Sequence, residues 1–346
     1  MVATIEDSAT WPRWGRIDSE LKELIENDAN PAFRKTPDMN AIVSTREAWY
    51  PKYKAVADAA LATVGALVTS KEIQIPRRDG GAQRALVYQP HDVANAPRPL
   101  LVLIHGGGFC YGCPEMDGAT CVRAVQAYGC VAVSLSYRLA PEHKFPTATN
   151  DCWDALNWIS GNLASLGADA SKGFVLGGTS AGGNIAVVLS HLARDEGLSP
   201  PLTGVYLNVP LVLAPEVVPE KYLPLYKSRN QNATAPVLNK AFMDMYTEAY
   251  APNVQSYIWS PINWPGGEES HAGLPRTYFQ ICGLDVLRDE GLIYERVLRK
   301  GYGIETRVDI YPGLPHMFVP NYPAHSSSKK YPQDTLSGLG WLLRAL

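Results

Sequence analysis

From about Lys71 the chain alternates short apolar runs with longer amphipathic ones. Leu100–Ile104 is apolar without interruption, which predicts a strand covered on both faces. Val131–Tyr137, Gly173–Leu176, Val205–Val209, Thr277–Cys282 and Glu305–Ile310 read as further strands. Between and after them, Met116–Tyr128, Ala148–Leu166, Ala181–Arg194, Glu290–Lys300 and Asp334–Ala345 read as helices. Lys71–Arg78 and Arg84–Gln89 flank the turn signal Asp79-Gly80-Gly81 and predict a hairpin. Such alternation implies an α/β fold: a mostly parallel central sheet flanked by helices.

Two stretches break the rhythm. Residues 1–68 read as helical with irregular links. Ile17, Leu21, Leu24 and Ile25 share one helix face, and a second helix is expected from Arg46 to about Ala66. Residues 210–265 are rich in proline, tyrosine and asparagine and hold one helical pattern near Lys240–Tyr250. This segment reads as an insertion over the carboxyl edge of the sheet, where open α/β sheets bind ligands. The expected organisation is an N-terminal cap region over 1–68 and a catalytic domain over 69–346, with a cap insertion at about 210–265. Ser326-Ser-Ser-Lys-Lys330 reads as a solvated loop.

Composition narrows the function. Of the 346 residues 46% are apolar and 19% charged, enough for a large core. The formal charge is −3 with no basic run, which argues against a nucleic-acid partner. No apolar run approaches the roughly 20 residues that span a bilayer. The acidic start Met1–Ser8 has no apolar signal core, so a cytoplasmic location is the expectation. A homodimer stays open, since nothing in the sequence sets the assembly state. Cys130, Cys152 and Cys282 sit in apolar or helical runs and read as small buried hydrophobes. Cys110 and Cys113 form a Cys-x-x-Cys pair, but no second pair completes a zinc site, so no metal is expected. Asn232-Ala-Thr234 is a glycosylation sequon, idle without secretion.

The chemistry concentrates in Gly177-Gly178-Thr179-Ser180-Ala181-Gly182-Gly183, between a strand and a helix. A serine on a sharp strand-to-helix turn projects its hydroxyl, and small neighbours keep that turn free of clashes. His105-Gly106-Gly107-Gly108 follows the strand Leu100–Ile104. Its glycines can present backbone N–H groups to a ligand, and with the N–H of Ala181 could hold an oxyanion. No Gly-Lys-Ser or Gly-Lys-Thr follows, which removes the nucleotide reading. His105 is expected to brace the loop. A base and its acid must then come later in the chain. Asp285 follows the strand Thr277–Cys282 and His316 follows Glu305–Ile310, so parallel strands bring both to the edge that carries Ser180. Asp289 is the rival acid, better explained as a helix N-cap. Among rival bases, His325 and His271 read as solvated, His143 falls in the wrong order, and His191 is mid-helix.

Together, His105-Gly-Gly-Gly108, Gly178-Thr-Ser-Ala-Gly-Gly183, Asp285 in Gly-Leu-Asp-Val-Leu-Arg-Asp and His316 in Pro-Gly-Leu-Pro-His-Met-Phe resemble the hormone-sensitive-lipase-like carboxylesterases of the α/β-hydrolase superfamily. Ser136-Tyr-Arg-Leu-Ala-Pro-Glu-His143 and Phe145-Pro146 to Asp151 belong to the same resemblance, which covers about Lys71 onward. It implies an eight-stranded sheet, a helical cap and hydrolysis of small carboxylic esters. Thr179 departs from the family, which usually has an acidic residue before the nucleophile.

The expected function is a serine carboxylesterase for small apolar or aromatic esters, with catalytic Ser180, Asp285 and His316 and an oxyanion hole from Gly106, Gly107, Gly108 and Ala181. No cofactor is required. Trp11, Trp14, Phe33, Tyr222, Tyr226, Tyr246, Tyr257 and Trp259 make the two cap regions rich in aromatics, which either line its pocket or pack the cap on the sheet. An acyltransferase or thioester hydrolase of secondary metabolism, and a non-catalytic receptor on the same fold, are the alternatives.

Overall fold

A computed structural model describes residues 5–27, 37–92 and 97–344. Its strands are β1 (Val68–Pro76), β2 (Ala82–Pro90), β3 (Leu100–Ile104), β4 (Val131–Leu135), β5 (Phe174–Thr179), β6 (Gly204–Asn208), β7 (Arg276–Cys282) and β8 (Thr306–Tyr311). They form one eight-stranded sheet in the order β1-β2-β4-β3-β5-β6-β7-β8. The β1–β2 and β2–β4 pairs are antiparallel, and every later pair is parallel. The eight longer helices are α1 (Ser19–Glu26), α2 (Ile42–Val64), α3 (Gly118–Tyr128), α4 (Thr147–Gly161), α5 (Ala181–Asp195), α6 (Lys240–Tyr250), α7 (Arg288–Arg296) and α8 (Ser326–Leu342).

The uninterrupted apolar strands are the central ones. Alternate residues of β3 pack to opposite faces: Leu101 and Leu103 meet α3 (Val122, Val125) and α8 (Leu339, Leu342). Leu100, Val102 and Ile104 join the other face, with α4 (Leu156, Ile159), α5 (Ile185, Leu189) and α7 (Leu292, Ile293). Each such side chain contributes about 1.5–3 kcal/mol by leaving water. The hairpin lies at the sheet edge, where half of β1 faces solvent. Its turn is held by the Asp79 carboxylate, which accepts from the Gly81 N–H at 3.1 Å.

Several boundaries differ from the sequence reading. α1 begins at Ser19, and Ile17 is exposed rather than on its buried face. The helix expected over Ala148–Leu166 ends at Gly161, and a separate turn covers Leu163–Leu166. β5 runs three residues further than expected, to Thr179. The segment read as a solvated loop, Ser326–Lys330, is the first part of α8. Its N-terminus is capped from the far end of the chain: Glu20 accepts from the Ser326 N–H at 2.7 Å and its hydroxyl at 2.6 Å. The loop reading fails because those acceptors lie 306 positions away. Residues 210–265 leave the sheet between the carboxyl end of β6 and the start of β7. They hold 3-10 turns, a short helix Ser228–Gln231 and α6.

Gly338 in α8 lies directly on the Tyr278 ring of β7: a Cβ there would sit 2.0 Å from a ring carbon. Alanine normally stabilises an exposed helix relative to glycine by up to about 1 kcal/mol. Here overpacking reverses the sign, and Gly338→Ala is expected to destabilise the fold by about 1–3 kcal/mol in urea denaturation.

Candidate active site

Ser180 stands between the last residue of β5 and the first of α5, with φ 55° and ψ −114°. That left-handed backbone is disfavoured for serine and costs on the order of 1–3 kcal/mol. It is held by contacts too close for a side chain. A Cβ on Gly178 would lie 2.0 Å from the Gly182 oxygen, and one on Gly182 would lie 2.1 Å from the Ile104 oxygen. The glycines of the motif thus let strand, helix and the neighbouring β3 terminus meet.

Asp285 follows β7 and His316 follows β8, and both loops reach Ser180. The Ser180 hydroxyl donates to His316 Nε2 at 3.0 Å. His316 Nδ1 donates to Asp285 Oδ2 at 2.7 Å. The other carboxylate oxygen accepts from the Leu287 N–H at 2.9 Å. All three are buried, and Asp285, 1% exposed, most deeply.

The glycine loop approaches from β3. Gly106 packs against the Thr179 oxygen and Ser180 Cβ; Gly107 and Gly108 have φ values of 116° and 61°. The Gly107 oxygen accepts from the N–H groups of Cys110 and Tyr111, which closes the loop. The N–H groups of Gly107, Gly108 and Ala181 have no acceptor among the described residues. His105 braces the loop as expected: Nδ1 donates to the Gly106 oxygen at 2.8 Å, and the ring stacks on Tyr137. Burial lowers its pKa to about 4, so it stays neutral.

This geometry can be set beside known proteins. The family model described as alpha/beta hydrolase fold matches residues 101–320. The chain belongs to the α/β-hydrolase family. An AB hydrolase superfamily protein of Schizosaccharomyces pombe is 39% identical over 331 residues, 96% of this chain and 95% of that one. Carboxylesterase NlhH of Mycobacterium tuberculosis is 34% identical, over 67% of this chain and 70% of that one. The crystal structure of vibralactone cyclase superposes with a TM-score of 0.87 at 30% identity, covering 96% of each chain. This α/β-hydrolase is therefore carboxylesterase-like, of the hormone-sensitive-lipase-like type. Among the described residues, no helix is long and apolar enough to cross a membrane.

The structure relocates several side chains of this α/β-hydrolase. Asp289 caps nothing in its own helix: Oδ2 accepts from the N–H groups of Lys227 and Ser228, tying the 210–265 segment to α7. His325 and His271 are buried, not solvated. His325 Nε2 donates to Asp18 at 3.0 Å, and His271 pairs with His191 at 2.9 Å. His143 is exposed. Of the cap aromatics, Tyr246 meets the glycine loop, its ring lying over Gly108. Trp11 is buried and donates to the Ile5 oxygen, Tyr226 donates to the Leu213 oxygen, and Trp259 packs on Phe109. Trp14 packs on the core, Tyr222 lies beneath Lys221, and Tyr257 meets Trp264. Phe33 lies outside the described residues.

Sequence reasoning missed two contributors. The sequon residue Asn232 is buried, and its amide donates to the backbone carbonyls of Asp285 at 2.7 Å and Gly283 at 3.3 Å. Glu290 is buried beside Arg229, 2.7 Å away, and accepts from the N–H groups of Val212 and Leu213. Burial raises its pKa, against the pull of Arg229. The sequon, read as idle, gave no sign of the Asn232 contact, and Glu290 carried no local signal.

Cys110 and Cys113 form no disulfide, and burial pushes both thiols up to about 12. A thiolate is the reactive form. At pH 8 the folded protein is expected to leave both unmodified by Ellman's reagent, over a time in which all six cysteines react in denaturant.

Proposed function

We propose that this chain is a serine carboxylesterase acting through an acyl-enzyme, with Ser180 as nucleophile, His316 as general base and acid, and Asp285 orienting the imidazole. The observation that carries the reading is the continuous hydrogen-bonded line from Ser180 through His316 to Asp285. As Ser180 Oγ attacks the ester carbonyl, its proton passes to His316 Nε2. Asp285 holds the proton on Nδ1, so Nε2 is free to accept, and its charge stabilises the imidazolium. The N–H groups of Gly107, Gly108 and Ala181 receive the oxyanion, with Gly106 leaving room beside Ser180. Each such donor is worth roughly a hundredfold to a thousandfold in rate. His316 returns the proton to the departing alcohol, and water then repeats the sequence on the acyl group. These steps call on no metal or organic cofactor.

A cleft of about 430 Å³ beside the glycine loop supports this substrate class. Trp49, Tyr50 and Tyr53 of α2 line one side, and Tyr111, Gly112 and Cys113 the other. Ser180 itself does not line the cleft; the Tyr246 ring packs on Gly108 and edge-on to Tyr111, a cleft residue. Arg46 pins α2 in place, donating to the Cys110 and Ala140 oxygens and pairing with Glu142 at 2.8 Å. Burial pushes the Tyr53 and Tyr111 phenols up to about 12, and neither hydroxyl has a partner among the described residues. Aromatic walls with unpartnered donors suit an apolar or aryl ester that carries an oxygen acceptor. In this reading residues 1–68 and 210–265 form the cap, and α2 and α6 select the substrate.

The likeness to vibralactone cyclase favours a second reading. In it, a hydroxyl other than water resolves the acyl-enzyme, and the same residues serve.

Ser180→Ala is expected to abolish turnover of a short aryl ester while leaving the fold intact, as checked by initial rates and circular dichroism. Retained turnover would remove the assignment. Tyr53→Ala is expected to lower kcat/KM for aryl esters by about tenfold relative to short alkyl esters. Product analysis with a competing alcohol separates hydrolysis from transfer: trapping of the acyl group by the alcohol at the expense of free acid favours the second reading.

A further inference from the structure

The loops that carry Asp285 and His316 are held from outside by one short segment near the N-terminus. The Gly313 N–H donates to the Trp14 oxygen at 2.7 Å, and the Gly313 oxygen accepts from the Asp18 N–H at 3.2 Å. Gly313 lies three residues before His316. On the other loop, Gly283 lies two residues before Asp285, and a Cβ there would sit 2.3 Å from the Trp14 oxygen. One backbone carbonyl thus rests against both loops. The loops are also joined to each other: Leu284 N–H donates to the Leu314 oxygen at 2.9 Å.

The segment is anchored at each end. Upstream, the Pro12 oxygen accepts from Gln231 at 2.6 Å, and Gln231 accepts from Arg288 at 2.9 Å. Arg288 also donates to the Gly283 oxygen at 3.0 Å. Downstream, Asp18 caps α1 and accepts from His325, while Glu20 holds the start of α8. Leu21 has no exposed surface and packs among Leu284, Leu314, Phe318 and Tyr311. These are the apolar side chains beneath the acid and base loops.

We propose that residues 12–21 are a positioning strap that sets the Asp285–His316 alignment. The proposal rests on the catalytic roles assigned above. The strap touches neither Ser180 nor the aromatic cleft, so its effect falls on the chemical step rather than on substrate binding. Displacing a reacting group by about 1 Å can cost on the order of a hundredfold in rate.

The test uses Gly283→Ala and Leu21→Ala in the full chain, with Leu21→Met as the conservative control. Gly283 does not have the left-handed backbone that would itself strain alanine; its added Cβ would meet the Trp14 oxygen at 2.3 Å and also Gly313 N and Pro312 Cα of the base loop at 2.9 Å, so Leu21→Ala, a change within the strap itself, is the deciding variant. For both alanine variants, kcat for a short aryl ester is expected to fall about tenfold to a hundredfold. KM should stay within about twofold, labelling of Ser180 by a fluorophosphonate should slow in parallel, and Leu21→Met should restore both. Circular dichroism and thermal melting establish that the variants are folded; if Gly283→Ala does not fold, Leu21→Ala decides. Folded variants with wild-type kcat, or a loss confined to KM, would overturn the strap. A wild-type protein that neither hydrolyses esters nor labels would instead overturn the esterase reading, and the strap's role with it.

Discussion

The φ of 55° at Ser180 is the constraint on which the site depends. A serine does not hold that conformation unaided. Here the carbonyl groups of Gly182 and Ile104 press on neighbours that have no side chain. The strain is therefore balanced by the packing of α5 against β5 and β3, and by the burial of those elements on both faces of the sheet. Local geometry at one residue is maintained by a core of several dozen.

From that fixed point the sheet's order does the rest. β5 is central, β7 and β8 lie to one side, and β3 to the other. Parallel strands end on the same edge, so the loops after β3, β5, β7 and β8 converge there. Each brings a different function in the proposed mechanism: N–H donors, hydroxyl, carboxylate and imidazole. The 210–265 segment leaves from the same edge after β6, and Asn232 and Asp289 tie it back to the acid's loop and helix.

Much of this was legible in the sequence because its signals are local. Leu100–Ile104 announces a buried strand, Gly178–Gly183 a tight turn, and the order Ser180, Asp285, His316 follows from strand ends. What escaped was set by distant partners. The helical state of Ser326–Lys330 depends on Glu20, and the burial of His325 on Asp18. Which aromatics face the cleft is likewise set by distant partners. Trp11, Tyr226 and Trp259 have the composition of a pocket wall, but each finds a core or backbone partner. Trp49 and Tyr53 reach the cleft because Arg46 docks α2 on the glycine loop, a contact between residues 64 positions apart.

The capping of Ser326 by Glu20 also bears on how the molecule is made. A chain leaving the ribosome exposes its N-terminal residues first, and domains begin folding as they emerge. Glu20 must then wait while the 306 positions to its partner are made, and Leu21 lacks the apolar bed that β7, β8 and their loops later supply. The hydroxyl turn at β5 can assemble well before that. Maturation would thus have an order: the nucleophile's scaffold comes early, and a segment translated before it is among the last to dock.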